Sequence, residues 1–377
     1  MKILVVCYEY PPIGGGGGRM AHTLAAALVR RGHSVRVQTA HWGDLPAREQ
    51  REGVDIFRCF AFRRRQDACS VPEMAGFLAT SFLPTLRHIW KWKPDVVHAH
   101  FAVPSGVLGY AAHRLTGVPY VLTAYLGDLP GGVPDQTGTL FRILDPLIRP
   151  IWKTAFAVTA TSSFAADLAS KAYGLTPHLI LNGASMVGRP AHAEPVRTPL
   201  RLTAIGRFNA QKNFPWLVRC LASHASDLAW TLTFVGDGPE RKAIEHEIRA
   251  SKLADRIRLA GWISGEEVLH TLNETDLLLM PSLSEGNPIA AIEALKCGVA
   301  ILASDAPGIA DLINDGVNGF RVPLQDPKAF AAKLRDMASN PELLYAMKEA
   351  SLQLAQKFDI EQIAENYERV LGDYTHI

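Results

Sequence analysis

The chain has 377 residues, 48% of them hydrophobic and 20% charged, and its 39 basic and 37 acidic side chains give a formal net charge of +2. That balance argues against a nucleic-acid binder or an acidic tail, and the length suits two domains that each bury a core. No apolar run approaches the roughly 18 residues of a membrane span. The five cysteines, Cys7, Cys59, Cys69, Cys220 and Cys297, are odd in number and lack the C-x-x-C spacing of a zinc site, so a protein of a reducing, cytoplasmic compartment is expected.

"KILVVCY" opens the chain as a strand. Five glycines, Gly14 to Gly18, follow it, and "RMAHTLAAALVRRGH" then has the pattern of a helix. A glycine-rich turn between strand and helix lets backbone N–H groups and a helix N-terminus face an anion. A dinucleotide fingerprint does not match. Its third glycine would fall on Arg19 or Met20, and Gln38, Thr39 and Ala40 stand where an acidic residue is needed. The stretch is expected to be a shaped loop, with Gly16, Gly17 and Gly18 close to a ligand.

"SVRVQTA" and "VDIFRCF" are strands, and "FLATSFLPTLRHIW" is helical but interrupted by Pro84. Two basic, partly aromatic runs, "FRRRQ" (62–66) and "IWKWK" (89–93), suit a solvated surface or, equally, a peripheral membrane contact. "PDVVHAH", "YVLTAY" and "AFAVTAT" add three buried strands. In "VVHAH", His98 and His100 are taken to point to opposite faces of one strand, which disfavours a metal pair. His100, nearer the strand's carboxyl end, is a candidate for the substrate side.

The pattern pauses at "NGASMVGRPAHAEPVRTP", a Pro- and Gly-bearing stretch that suits a linker. A second alternation follows, from "RLTAIGR" through "WTLTFVGDG", "IRLAGW", "DLLLMPS" and "AILASD" to "GFRVP", and the last 50 residues are helical. Apolar strands alternating with helices make a parallel sheet covered on both faces. The expectation is α/β with two Rossmann-like doubly wound domains, residues 1–188 and 189–358, the C-terminal helix at about 359–377 packing back on the first. Ligands of such sheets bind beyond the strands' carboxyl ends, and a cleft between two domains is the default site.

In "AIGRFNAQKNF", Arg207 and Lys212 share a strand-to-helix loop, where a planar fork and a point charge together can neutralise a diphosphate. In "PSLSEGNPIAAIEALKCG", Asn287 followed by Pro288 predicts an N-cap and a first-turn proline. That helix start would favour an anion. Glu285 lies in the loop before it and Glu293 on its second turn, carboxylates suited to sugar hydroxyls. Gly236 in "FVGDGPER" permits close approach of a ligand, and Gly261, Trp262 and Ile263 in "LAGWIS" offer backbone groups to a nucleobase.

Taken in order, these motifs resemble glycosyltransferase family 4, which has the GT-B fold of two Rossmann-like domains facing each other across a cleft. The similarity runs over nearly the whole chain, through "YPPIGGGGG", "RRGHSVRVQT", "PDVVHAH", "GRFNAQKNF", "VGDGPER", the Glu285 to Glu293 segment and the end helix. The resemblance implies retaining transfer of a sugar from a UDP- or GDP-linked donor to a hydroxyl acceptor, with no further cofactor and no obligatory metal. It implies that Arg207 and Lys212 hold the diphosphate and stabilise it as leaving group, that Glu285 contacts the donor sugar beside the N–H groups of Gly286, Asn287 and Ile289, that Glu293 binds the ribose, and that the glycine loop, with Gly16, Gly17 and Gly18, borders the donor phosphates and the acceptor from the other domain. Two departures stand out. No aromatic follows Glu285, and Tyr125 in "TAYLGD" stands where many relatives have a histidine, so Tyr125 and Asp128 join His100 as acceptor-side candidates. The alternatives are another GT-B activity, such as an epimerase or phosphorylase, and a non-catalytic nucleotide-sugar binder.

Overall fold

The computed structural model describes residues 1–66 and 69–373. The chain divides into two compact units, Met1–Ser185 with Asp359–Ile377, and Met186–Phe358.

In the first unit the strands are β1 (Lys2–Cys7), β2 (Ser34–Ala40), β3 (Arg48–Arg51), β4 (Val54–Cys59), β5 (Val96–His100), β6 (Tyr120–Ala124), β7 (Ala157–Ala160) and β8 (His178–Leu179). They form one sheet in the order β3-β4-β2-β1-β5-β6-β7-β8. Every pairing is parallel except β3 with β4. Strand β3, "REQR", has no apolar alternation to announce it, because an edge strand exposed on both faces needs none. The helices are α1 (Gly16–Arg30), α2 (Val71–Trp92), α3 (Val107–Thr116), α4 (Pro134–Thr154) and α5 (Ser163–Tyr173).

Helix α2 starts at a capping box, in which Glu73 accepts both the Ser70 N–H (2.5 Å) and the Ser70 hydroxyl (2.7 Å). Pro84 removes one backbone hydrogen bond without ending the helix, because burial of Phe77, Ser81, Thr85, Leu86 and Ile89 holds both halves to the sheet. Gln38, standing where a dinucleotide site needs an acid, donates instead to Ser81 O (2.8 Å) and Thr85 Oγ1 (2.7 Å) of this helix.

The second unit contains β9 (Leu200–Ile205), α6 (Phe214–His224), β10 (Trp230–Val235), α7 (Arg241–Ala250), β11 (Ile257–Gly261), α8 (Gly265–Asn273), β12 (Leu277–Met280), α9 (Ile289–Lys296), β13 (Ala300–Ser304), β14 (Gly319–Val322), α10 (Pro327–Ser339) and α11 (Pro341–Ala355). Its six strands are all parallel, in the order β11-β10-β9-β12-β13-β14. The connection reverses direction between β9 and β12, so the loops leaving these two strands border the crevice where open sheets hold ligands. At the opposite end of the same strands, Asp276 is fully buried and accepts Arg201 (2.9 Å) and Lys348 (3.1 Å), which ties α11 to the sheet.

The last helix, α12 (Ile360–Gly372), belongs to the first unit. Arg30, the last residue of α1, and Arg31, its C-cap, meet Glu361 (2.7 Å) and Glu368 (2.5 Å) of α12. The buried Tyr367 hydroxyl reaches Thr123 (3.4 Å) on β6 and Thr159 (3.5 Å) on β7.

Candidate active site

The loop after β9 is built around a buried anchor. Phe208 is fully buried and packs edge-on against Phe214 and Phe234, at centroid distances of 5.6 and 6.2 Å. Its N–H donates to Asp237 O (2.9 Å) and its carbonyl accepts the Glu240 N–H (2.8 Å), joining the loops after β9 and β10. That join requires glycine twice. A Cβ on Gly236 would lie 2.0 Å from Gly206 O, and one on Gly238 2.6 Å from Phe208 O. The glycines of "VGDG" thus let two backbones touch, and the Gly236 N–H is already given to Gly261 O (2.8 Å).

From Phe208 the chain makes one tight turn, Ala210–Lys212, in which Asn209 Oδ1 accepts the Lys212 N–H (3.2 Å). This turn is fastened to the loop after β12. Leu283 N–H donates to Gln211 O (2.8 Å), and Gln211 Nε2 donates to Ser284 O (2.9 Å). The result is an ion pair. Lys212 Nζ lies 2.6 Å from Glu285 Oε1, and Ser282 Oγ donates to the same oxygen at 2.6 Å. Only 15% of the lysine side chain and 6% of the glutamate side chain are exposed, so salt screens this pair little. The Glu285 N–H is held by Pro307 O (2.9 Å). Arg207 stands at the mouth of the same loop, half-buried.

The helix beyond starts one residue later than its sequence suggests. The N-cap of α9 is Pro288, extended at φ −69° and ψ 127°, and the first helical residue is Ile289. Asn287 is not a cap. Its φ of 66° puts it in the left-handed region, which asparagine tolerates better than most residues and which turns the loop into the helix. Gly286, Asn287 and Ile289 therefore line the turn into α9, and Glu293 lies buried one turn further on. Trp262 is exposed and Ile263 half-buried, just past β11 at the sheet's edge.

In the first unit the direction reverses between β1 and β5. Three of the five glycines are not loop. Gly16, Gly17 and Gly18 form the first turn of α1, with Gly15 as its N-cap, where the sequence suggested a helix from Arg19. Poor helix propensity is overridden by packing. A Cβ on Gly17 would fall 2.4 Å from Phe101 Cζ, and one on Gly18 2.8 Å from Glu9 O. Glu9 itself accepts the Gly15 N–H (3.0 Å), so a carboxylate of the chain faces this helix start.

His98 and His100 share a face. Residues two apart on a strand point the same way, and the two buried rings lie 4.2 Å apart between centroids. Among the described residues no three metal-ligating side chains cluster. His100 Nδ1 meets the Tyr125 hydroxyl (2.9 Å), which donates to Gly17 O (3.3 Å). The Tyr125 ring stacks on Phe101 at 4.4 Å. Asp128 is buried and accepts the N–H groups of Ala102 and Tyr125, both at 3.0 Å. Burial pushes its carboxyl up to about 7 against those hydrogen bonds. The Tyr125 hydroxyl thus ties His100 to the glycine turn, and Asp128 holds the backbone of Tyr125. Glu9, Phe101, Gln211 and Ser282 were not singled out in the sequence. Phe101, a non-glycine residue at φ 73°, gives no local signal of that conformation.

Two family models match the chain. A model described as glycosyl transferases group 1 covers residues 191–353, and one described as a glycosyl transferase 4-like domain covers residues 15–183. The chain is 26% identical to glycogen synthase of Mycobacterium tuberculosis, over 97% of this chain and 92% of that one. Sucrose-phosphate synthase from Thermosynechococcus elongatus superposes with a TM-score of 0.86 at 18% identity, over 100% of this chain and 99% of the other. Anabaena Alr3699/HepE in complex with UDP and glucose superposes with a TM-score of 0.78 at 19% identity, over 99% and 100%. With two parallel α/β units of the GT-B kind and each matched by its own family model, the chain belongs to the family 4-like glycosyltransferases.

Proposed function

We propose that this glycosyltransferase moves a hexosyl group from a nucleotide diphosphate sugar to a hydroxyl acceptor, with retention at the anomeric carbon. The observation that carries the reading is the Lys212–Glu285 pair, 2.6 Å apart and fastened between the two loops at the reversal point of the second sheet. A cation and a carboxylate there suit the two halves of such a donor. Arg207 and Lys212 stabilise the charge that grows on the departing diphosphate. The contacts from Lys212 and Ser282 both fall on Glu285 Oε1, and Oε2 accepts a sugar hydroxyl. Glu293 takes the ribose hydroxyls. The complex of Alr3699/HepE with UDP and glucose supports this class of donor.

Retaining hydrolases use two carboxylates roughly 5 Å apart about the anomeric carbon. Glu285, with one oxygen committed to Lys212, does not supply such a pair, and front-face displacement fits better. In that step the bond from C1 to the phosphate oxygen breaks as the bond from C1 to the acceptor oxygen forms on the same face. The leaving phosphate oxygen takes the acceptor's proton. No metal is required in this reading. The first unit supplies the acceptor side, and a peripheral contact with a cytoplasmic membrane face belongs to the same proposal.

A panel of UDP- and GDP-sugars, scored by thermal stabilisation and by release of nucleoside diphosphate with and without candidate hydroxyl acceptors, tests it. Acceptor-dependent release with an axial-to-axial outcome by proton NMR is expected. Sugar isomerisation without release points to an epimerase, and stabilisation without turnover to a binding protein.

A further inference from the structure

We infer that α2, with residues 60–66, is a docking face for an anionic lipid bilayer. This names the surface for the membrane contact of the proposed function and rests on that reading only for its purpose, since its test needs no turnover. The observation is an exposed apolar row on a helix that is otherwise well packed. Leu83 is 69% exposed, Trp90 62% and Phe82 36%, and Val71 at the helix start 57%. Phe60 and Phe62, 57% and 62% exposed, extend the row sideways. Their rings meet edge-on at 4.6 Å. Phe62 packs over Gly76, where an added Cβ would come within 2.8 Å of its ring, and the Phe60 carbonyl accepts the Thr80 hydroxyl. Gly76, Thr80, Leu83, Arg87 and Trp90 follow one another at three- and four-residue steps, so the phenylalanines and the helix form one continuous surface.

Charge selects the occupant. Between residues 60 and 93 the chain carries Arg63, Arg64, Arg65, Arg87, Lys91 and Lys93 against Asp67 and Glu73. Arg63 is buried against Tyr8 and Glu9 and takes no part. The other five cations are exposed. Glu73 is buried and holds the Ser70 and Arg64 N–H groups, so it does not offset them, and Asp67 lies outside the described residues. Arg87 lies one turn from both Leu83 and Trp90, and the Arg64 N–H is held to Glu73 in the first turn of α2. Exposed aromatics and leucine interleaved with cations of one sign fit the boundary between acyl chains and anionic headgroups. No long apolar helix accompanies them: among the described residues none can cross a membrane. The fit is to lying on a bilayer.

Flotation of the full chain with phosphatidylcholine vesicles, with and without phosphatidylglycerol, is the test. Binding to the anionic vesicles alone is expected, weakening as salt rises. The triple variant R64Q/R87Q/K91Q should partition about 100-fold more weakly, and F62S/L83S/W90S should lose binding while its circular dichroism and thermal melt stay native, because these side chains are exposed. Equal binding to neutral vesicles, or unchanged binding by both folded variants, overturns the proposal. So does a dimer, seen by sedimentation velocity without lipid, that F62S/L83S/W90S dissolves, since a second copy would then cover the face. Nucleoside diphosphate stabilisation, measured on the same samples, reports the donor site separately, so that either proposal can fail without the other.

Discussion

At the residue scale, the proposed function places the largest share of the chemistry on Lys212. Its ammonium is held by Glu285 at 2.6 Å, while Gly206 lies against its stem, where a Cβ would fall 2.7 Å from Lys212 Cε. The side chain is therefore positioned before any donor arrives. Lys212→Ala is expected to lower kcat by roughly 10²–10³-fold, the range for removing one preorganised charge-stabilising group, with the melting temperature retained. Near-normal turnover in a folded Lys212→Ala protein would remove Lys212 from the mechanism. A second residue-scale expectation concerns pH. Burial lowers His98 to about 3, and burial with His98 nearby lowers His100 well below the usual histidine range. Both stay neutral in the fold but take up protons on unfolding below pH 6.5, so the stability they contribute is lost as pH falls from 6.5. Asp128 is raised from 3.8 to about 7 and acts in the opposite sense, its contribution being lost as pH rises through that window. Between pH 6.5 and 4, His98 alone accounts for the uptake of up to one proton on unfolding, or about 1.4 kcal/mol of stability lost per pH unit. His98→Gln removes one such proton and should flatten the profile by that amount in urea melts at several pH values. An unchanged slope would mean that His98 is charged in the fold.

At the element scale, the two strand-end loops of the second unit act as one piece, because backbone contacts fix their spacing. Gly308 is the clearest case. At φ +83°, with an added Cβ only 1.7 Å from Glu285 O, it lets the loop after β13 press directly on the carboxylate's backbone. Gly308→Ala should displace Glu285 and lower kcat/KM by about 100-fold, the scale of a 1 Å misplacement at a reacting centre. Gly117 has a similar φ of +76° and nothing within 4 Å of an added Cβ. Gly117→Ala pays only left-handed strain, about 1–2 kcal/mol, and should keep its kinetics. If both variants lose stability alike and keep kcat/KM, the loop after β13 does not position Glu285. These elements also show what the sequence made legible. The buried parallel strands were readable because continuous apolar runs such as "KILVVC" and "DLLLM" have one stable use in a doubly wound sheet. That Lys212 and Glu285, 73 residues apart, belong near one another was expected because both stand just past strands of one sheet, and the structure brings them to 2.6 Å. Position within a turn was not readable. Asn287 followed by Pro288 has the composition of a helix cap, and only tertiary contacts decide that Asn287 instead turns left-handed. Gly16–Gly18 look too weak for a helix, yet Phe101 packs so closely on Gly17 and Glu9 on Gly18 that no larger residue fits at these two positions of the first turn of α1. The shared face of His98 and His100 follows from strand periodicity alone, and the opposite expectation misapplied it.

At the scale of the whole molecule, the proposed function divides the work between the two units. The assigned donor groups, Arg207, Lys212, Glu285 and Glu293, lie in Met186–Phe358, whereas the glycine turn and its support, Phe101, His100 and Tyr125, lie in the first unit. Each group is built on its own sheet. Nucleoside diphosphate affinity and sugar transfer should therefore separate by mutation. Gly17→Leu drives a side chain into Phe101, because even a Cβ would stand 2.4 Å from that ring, and displaces the first turn of α1 together with the Tyr125 hydroxyl bonded to Gly17 O. Transfer should be abolished. UDP binding, followed by calorimetry, should stay close to wild type, since the two cations proposed to hold the diphosphate, Arg207 and Lys212, are in the other unit. Lys212→Ala should give the complementary result, with UDP affinity and transfer falling together. A loss of UDP affinity in folded Gly17→Leu as large as its loss of transfer would show that the first unit holds the diphosphate too. The glycine turn would then be part of the donor site and not of the acceptor side.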